Sequence, residues 1–225
     1  GLMKRKLLIA IGILVIVLVI YSAKPRQQPV SHSILWDNGY VDFVNKNMVS
    51  GGPPKDGIPS IDDPRYVSAE TAQEFLSDDE HVFGFFDGKT WKALTQSIMY
   101  WHEIVNEKIN DESVAITYCP LTGSVIGYKG HYGVSGKLYN SNMVIYERGT
   151  DSEIPQMFGT AVNGPSRGQE MPRFPVLVTT WKSWKQEHPD TLVLSPNTGF
   201  DRDYKKSPYP GYEGLLRVWF PVAAQ

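Results

Sequence analysis

From Leu7 to Ile20 the chain carries no charged or strongly polar side chain, and Tyr21, Ser22 and Ala23 prolong the run to Lys24. A helix crosses a bilayer core with about 20 apolar residues, or about 17 at the short end. The pattern therefore predicts one N-terminal transmembrane helix within residues 4–23, its backbone polar groups satisfied internally. Lys4, Arg5 and Lys6 in front favour a cytoplasmic N-terminus. The expectation is a single-pass protein of the cytoplasmic membrane, N-terminus inside and globular domain extracytoplasmic. A cleaved signal segment is the rival, with small residues expected at the cut. Tyr21, two positions before Ala23, fits that poorly. Both readings export the rest of the chain.

Beyond the anchor the pattern shortens. Residues 24–50 read as a juxtamembrane linker, closed by the breaker Gly51-Gly52-Pro53-Pro54. Ser68 can cap a helix over Ala69–Leu76. Val82–Phe86 and Thr90–Leu94 read as strands joined at Asp87-Gly88. Ser97–Ile109 shows helical spacing, with Ile98, Trp101, Val105 and Ile109 on one face and His102 beside them. Val114–Tyr118 pairs naturally with Ser124–Tyr128. Val134–Tyr139 and Met143–Glu147 form another strand pair, turning at Asn140-Ser141. Thr180–His188 is a short aromatic helix stopped by Pro189, and Leu192–Leu194 a strand. Asp201–Tyr212 is a loop rich in Tyr, Pro and Asp, and Leu215–Val222 a last apolar run. The predicted fold is α+β: a β-rich single globular domain over residues 51–225, with two or three short helices.

Charge sharpens the choice of partners. Five basic side chains precede Gln27 and no acidic one does, leaving 17 basic against 24 acidic over residues 27–225. An acidic ectodomain argues against nucleic acid, which needs a basic field. The expected partners are the membrane, through residues 4–23, and a further membrane protein. Cys119 is the single cysteine, so no internal disulfide forms. A lone thiol in an exported domain is either protected by burial or used.

Three motifs carry candidate chemistry. Gly164-Pro165-Ser166-Arg167-Gly168 matches the nucleophile-elbow pattern, but Met171-Pro172 follows where a helix is required, so a glycine-rich loop is the better reading. His102-Glu103 opens a zinc-helix pattern whose second histidine is Asn106 here, and one imidazole does not make that site. Tyr118-Cys119-Pro120-Leu121-Thr122-Gly123 places a thiol where a strand ends in a turn, a place that presents side chains. The Thr122 hydroxyl can donate to a thiolate and lower its pKa, though it cannot resolve a mixed disulfide.

The ordered set Gly57-Ile58-Pro59, Asp62-Asp63-Pro64, His102-Glu103-Ile104-Val105-Asn106 and Tyr118-Cys119-Pro120-Leu121-Thr122-Gly123-Ser124 has a wider resemblance. With Gly133-Val134-Ser135-Gly136, Tyr139-Asn140-Ser141, His188-Pro189-Asp190-Thr191 and Arg202-Asp203-Tyr204, it resembles the prokaryotic domain-of-unknown-function family 3179 (DUF3179). The likeness runs from about Asp56 to Val222. Many members carry a second Cys where Thr122 stands, and some are selenoproteins, which implies redox or metal chemistry at this turn. Members commonly continue past Phe220-Pro221-Val222, so the resemblance implies either a short member or a missing C-terminal extension.

Two function classes follow. In the first, Cys119 is nucleophile or metal ligand, Thr122 its hydrogen-bond donor, and His102 and Glu103 the acid–base partners. Asn140, Arg148 and Tyr204 stand behind them. No cofactor is identified; a transition metal on Cys119 and His102 is the one group these residues suggest. In the second, the chain is a non-enzymatic binding or accessory module of a membrane complex, supported by its anchor and its Trp- and Tyr-rich segments.

Overall fold

A computed structural model describes residues 38–214 and 219–222. The anchor expected within residues 4–23 lies outside the described residues, as do residues 215–218 of the last apolar run. Among the described residues no helix is long and apolar enough to cross a membrane. The described residues cluster as one compact unit.

The described chain is β-rich with short helices. It opens with α1 (Asn38–Lys46) and β1 (Val49–Ser50), then β2 (Tyr66–Ser68), α2 (Ala69–Ala72), β3 (His81–Phe86) and β4 (Trp91–Thr95). Next come α3 (Gln96–His102), β5 (Ile104–Ile109), β6 (Glu112–Cys119), β7 (Ser124–Lys129), β8 (Tyr132–Tyr139) and β9 (Asn142–Glu147). β10 (Glu153–Pro155), β11 (Arg173–Phe174), β12 (Leu177–Thr180), α4 (Trp181–Glu187) and β13 (Leu192–Leu194) complete it. Three sheets result, ordered β1-β8-β9-β10, β11-β7-β6-β5 and β12-β3-β4-β13-β2. Strand pairs are antiparallel except β13 with β4.

The β5–β7 sheet is the middle layer, and the alternation of β6 shows why. Successive strand side chains point to opposite faces. Val114, Ile116 and Tyr118 pack on one side with Phe83, Phe85 and Leu94 of the β3–β4 hairpin and with Ile98 and Met99 of α3. Ala115 and Cys119 point the other way, against Val134, Leu138, Met143 and Ile145 of β8 and β9. Fully covering a side chain such as Ile116 or Phe83 contributes about 1.5–3 kcal/mol. The outer faces are closed by helices. Trp181 and Trp184 of α4 cover the β3–β4 sheet, and Val41 and Val44 of α1 cover the β8–β9 sheet. Gly84 is required there: a Cβ on it would come within 2.2 Å of the Trp184 ring.

Several expectations change. The helix predicted over Ser97–Ile109 stops at His102, because Glu103 takes a left-handed backbone with φ 58°. Ile104–Ile109 is instead a strand, paired with β6 across Asn110 and Asp111, whose φ of 48° and 67° suit a tight hairpin turn. The helix expected over Ala69–Leu76 is a single turn, although Ser68 caps it by accepting from the Thr71 amide. The two or three short helices expected over residues 51–225 are met by α2, α3 and α4, and α1 precedes them. Part of the expected linker over 24–50 is structured: residues 38–50 form α1 and β1, and β1 pairs with β8.

Candidate functional site

Cys119 ends β6, and its in-facing register position decides its environment. The expectation that the turn presents this side chain is not met: the thiol is 1% exposed. The β8–β9 turn covers it. The Met143 amide donates to Sγ at 3.3 Å, and the thiol faces the Ser141 carbonyl at 3.8 Å. Burial pushes the thiol pKa up and the nearby Glu103 charge pushes it further, outweighing the Thr122 side chain and the Met143 and Thr122 amides, which favour thiolate. At neutral pH this is a protonated thiol, the form with little nucleophilicity.

Thr122 is exposed and joins a polar network. Its hydroxyl contacts Ser124 Oγ at 2.8 Å and accepts from Asn142 Nδ2 at 3.0 Å. Gln156, fully buried, ties the network to the sheet. Its amide donates to Thr117 Oγ1 and to the Ser124 carbonyl, both at 3.0 Å, and its carbonyl accepts from Ser124 at 2.6 Å and Asn142 at 2.8 Å. The Asn142 carbonyl accepts the Met157 amide at 2.9 Å. Every arm of these two amides is used, which fixes the conformation of the Cys119 turn.

His102, at the end of α3, is wholly buried. Its Nδ1 lies 2.8 Å from the Pro59 carbonyl, and its Nε2 lies 2.7 Å from Tyr204 Oη. A carbonyl only accepts, so Nδ1 carries the proton and Nε2 accepts from Tyr204. Tyr204 in turn meets the Thr198 hydroxyl at 2.5 Å. Burial holds the imidazole below its ordinary pKa, and the Arg202 charge adds to this against the Pro59 bond. His102 is therefore neutral, with both nitrogens committed.

That arrangement does not fit a metal. Neither His102 nitrogen is available to a cation shared with Cys119, and among the described residues no three His, Cys, Asp or Glu side chains converge. Structural or catalytic transition-metal sites need three or four such groups.

Glu103 is the group best placed for chemistry. Its left-handed backbone turns the chain from α3 into β5, and its carbonyl accepts the Tyr118 amide at 2.7 Å. The carboxyl is 5% exposed and lines a cavity of about 350 Å³. Tyr209 donates to its Oε1 at 2.8 Å. Burial raises its pKa from the ordinary 4.5 to about 7, against the Tyr209 hydrogen bond. Ile58, Leu121, Leu138 and Met143 supply the cavity's aliphatic wall, and Tyr100, Trp101, Tyr209, Trp219 and Phe220 its aromatic one. Arg202, Pro208, Tyr209, Trp219 and Phe220 close the space. Trp101 Nε1 donates to the Lys206 carbonyl at 2.8 Å, Tyr212 to the Leu121 carbonyl at 2.9 Å, and Ser141 Oγ to the Phe220 carbonyl at 3.1 Å.

The remaining predicted residues divide. Tyr204 acts on His102, as described. Asn140 turns the chain between β8 and β9 with φ 50°. Arg148 belongs to a different cluster, donating to Tyr146 Oη at 2.9 Å, Ser60 Oγ at 3.0 Å and Asp56 Oδ1 at 3.3 Å. Beside it Asp62 accepts from Asn106 at 2.6 Å and Ser60 at 2.8 Å. Burial opposes its ionisation, but those bonds and the Arg148 and His131 charges prevail and hold its pKa low. Asn106, the residue in the zinc-helix histidine position, thus serves a carboxylate on a strand. Ser166 of the elbow-like motif sits in a loop, its amide bonded to Ser152 Oγ at 2.9 Å. Sequence reasoning missed Tyr209, Asn142 and Gln156. The tyrosine-rich loop was the one visible signal for the first; a buried Gln in the turn after β10 leaves none.

The architecture defines a class: a β-rich α+β domain with an aromatic cavity closed by its C-terminal loop. The family described as "Protein of unknown function (DUF3179)" matches residues 55–225, and the chain belongs to it. No curated protein and no solved structure matches the chain.

Proposed function

We propose that this chain is a membrane-tethered, exported binding domain whose small-molecule ligand occupies the cavity above Glu103. One observation carries the reading: a single buried carboxyl lines a space of about 350 Å³ whose walls are otherwise mostly apolar and aromatic. Ligand sites characteristically combine apolar walls with a few placed polar groups. The tether rests on the apolar run at residues 7–20 and the basic residues before it. The same cavity would serve an accessory subunit of a membrane complex.

A thiol-centred reading has one observation in its favour, the Met143 and Thr122 groups that support thiolate. Burial and Glu103 act more strongly the other way, so binding is the better account. The test is thermal. Indole is expected to raise the unfolding midpoint of the full chain in maltoside micelles by a few degrees, as binding to the native state requires. Leu121→Trp, which fills the cavity, should abolish the rise. A folded wild-type protein that indole does not stabilise would remove the proposal.

A further inference from the structure

The cavity walls also carry information about charge. Aromatic rings present negative faces, and cations lie favourably within about 6 Å of a ring centroid. Such a contact already exists here: the Arg202 guanidinium lies 5.6 Å from the Trp101 ring centroid. Tyr100, Tyr209 and Trp219 continue the aromatic wall, with Tyr100 and Tyr209 6.2 Å apart and Tyr209 and Trp219 6.2 Å apart. The Glu103 carboxyl stands among them. Of the basic side chains lining the space, Lys137 has its ammonium 2.8 Å from Glu153 and is neutralised there. Arg202 faces the Trp101 ring. An anionic ligand would have to approach a buried carboxyl, and an ionised carboxylate repels it. A purely hydrocarbon ligand would leave the carboxyl covered without a partner of opposite charge, a costly arrangement.

We propose that the cavity takes an organic cation, an alkyl- or arylammonium group flanked by Tyr100, Trp101, Tyr209 and Trp219 and neutralised by Glu103. This inference rests on the cavity being a binding site, and it adds the chemical class of the ligand. The aromatic wall receives the apolar substituents and the carboxylate supplies the single opposite charge.

The full chain in maltoside micelles is titrated with benzyltrimethylammonium and with neopentylbenzene, its neutral carbon analogue. Tryptophan fluorescence is the readout, with empty micelles subtracted. The cation should bind saturably and at least tenfold more tightly than the neutral analogue. Glu103→Gln should reduce that preference at least tenfold while leaving the neutral analogue's affinity within twofold. Trp219→Leu, at a position 45% exposed and so safe for folding, should weaken the cation at least threefold. It keeps the test decisive if the Glu103 variant does not fold. Equal affinity for the two probes, or a cation affinity indifferent to these substitutions, overturns the inference. If indole still stabilises the protein in that case, the cavity remains a binding site and only the charge preference falls. If neither indole nor the cation binds, both fall together.

Discussion

Glu103 concentrates more of this molecule's behaviour than any other side chain. The unfolded chain loses this proton near the ordinary 4.5, the folded chain at about 7. Between those values the folded state holds more proton, so this group's contribution makes stability fall as pH rises through the interval and level off above it. Glu103→Gln removes that slope. The variant is expected to exceed wild type by up to about 3 kcal/mol at pH 8 and to match it near pH 4. Denaturant unfolding at several pH values measures the difference, and comparing the two proteins isolates Glu103 from His102. Cys119 makes the complementary case. Its thiol is expected to react with an aromatic disulfide reagent at least a hundredfold more slowly in the native protein than in urea, across pH 7–9. Fast native labelling would revive thiol chemistry at the turn.

At the scale of elements, the amide network around Gln156 is the most exposed to a single change. Gln156→Ala leaves the Asn142 amide, the Thr117 hydroxyl and the Ser124 carbonyl short of partners in a buried site. It is expected to cost about 2–4 kcal/mol, each orphaned buried group contributing about 1–3 kcal/mol. Gly84→Ala, driven against the Trp184 ring, is expected to cost about 1–3 kcal/mol by overpacking. Chemical denaturation reads both. The β-hairpins were legible where local turn residues mark them, as at Asp87-Gly88 in the β3–β4 pair and Asn140-Ser141 in the β8–β9 turn. The β5 segment was not. Ile104, Val105, Asn106 and Glu107 are all buried, so the two-residue alternation that marks a half-covered strand is missing, and the apolar positions fit a helix as well. Pairing with β6 across the tight Asn110-Asp111 turn decides the outcome. The Cys119 motif was legible as a turn but not as a buried one. What covers it, Ser141 to Met143 and the C-terminal segment, comes from elsewhere in the chain.

At the scale of the whole molecule, the proposed tether makes the orientation of the chain testable. In intact cells whose outer barrier has been opened, added protease is expected to degrade residues 36–225 while a short N-terminal fragment stays protected. An epitope placed before Met3 should remain inaccessible until the membrane is lysed. Digestion of that epitope from outside would reverse the orientation and place the binding domain in the cytoplasm.

The loop from Asp201 to Tyr212 holds two neighbours at once: Tyr204 meets the His102 ring and Tyr209 meets the Glu103 carboxyl. Because those two residues are consecutive, the loop is fastened twice to one point of the chain. Peeling it back would wet a neutral imidazole and a reluctant carboxylic acid in the same event, and each would then exchange its proton with the surrounding medium. Were a guest to enter the chamber by that route, its passage and the acid–base state of the threshold would be tied to one movement of the chain.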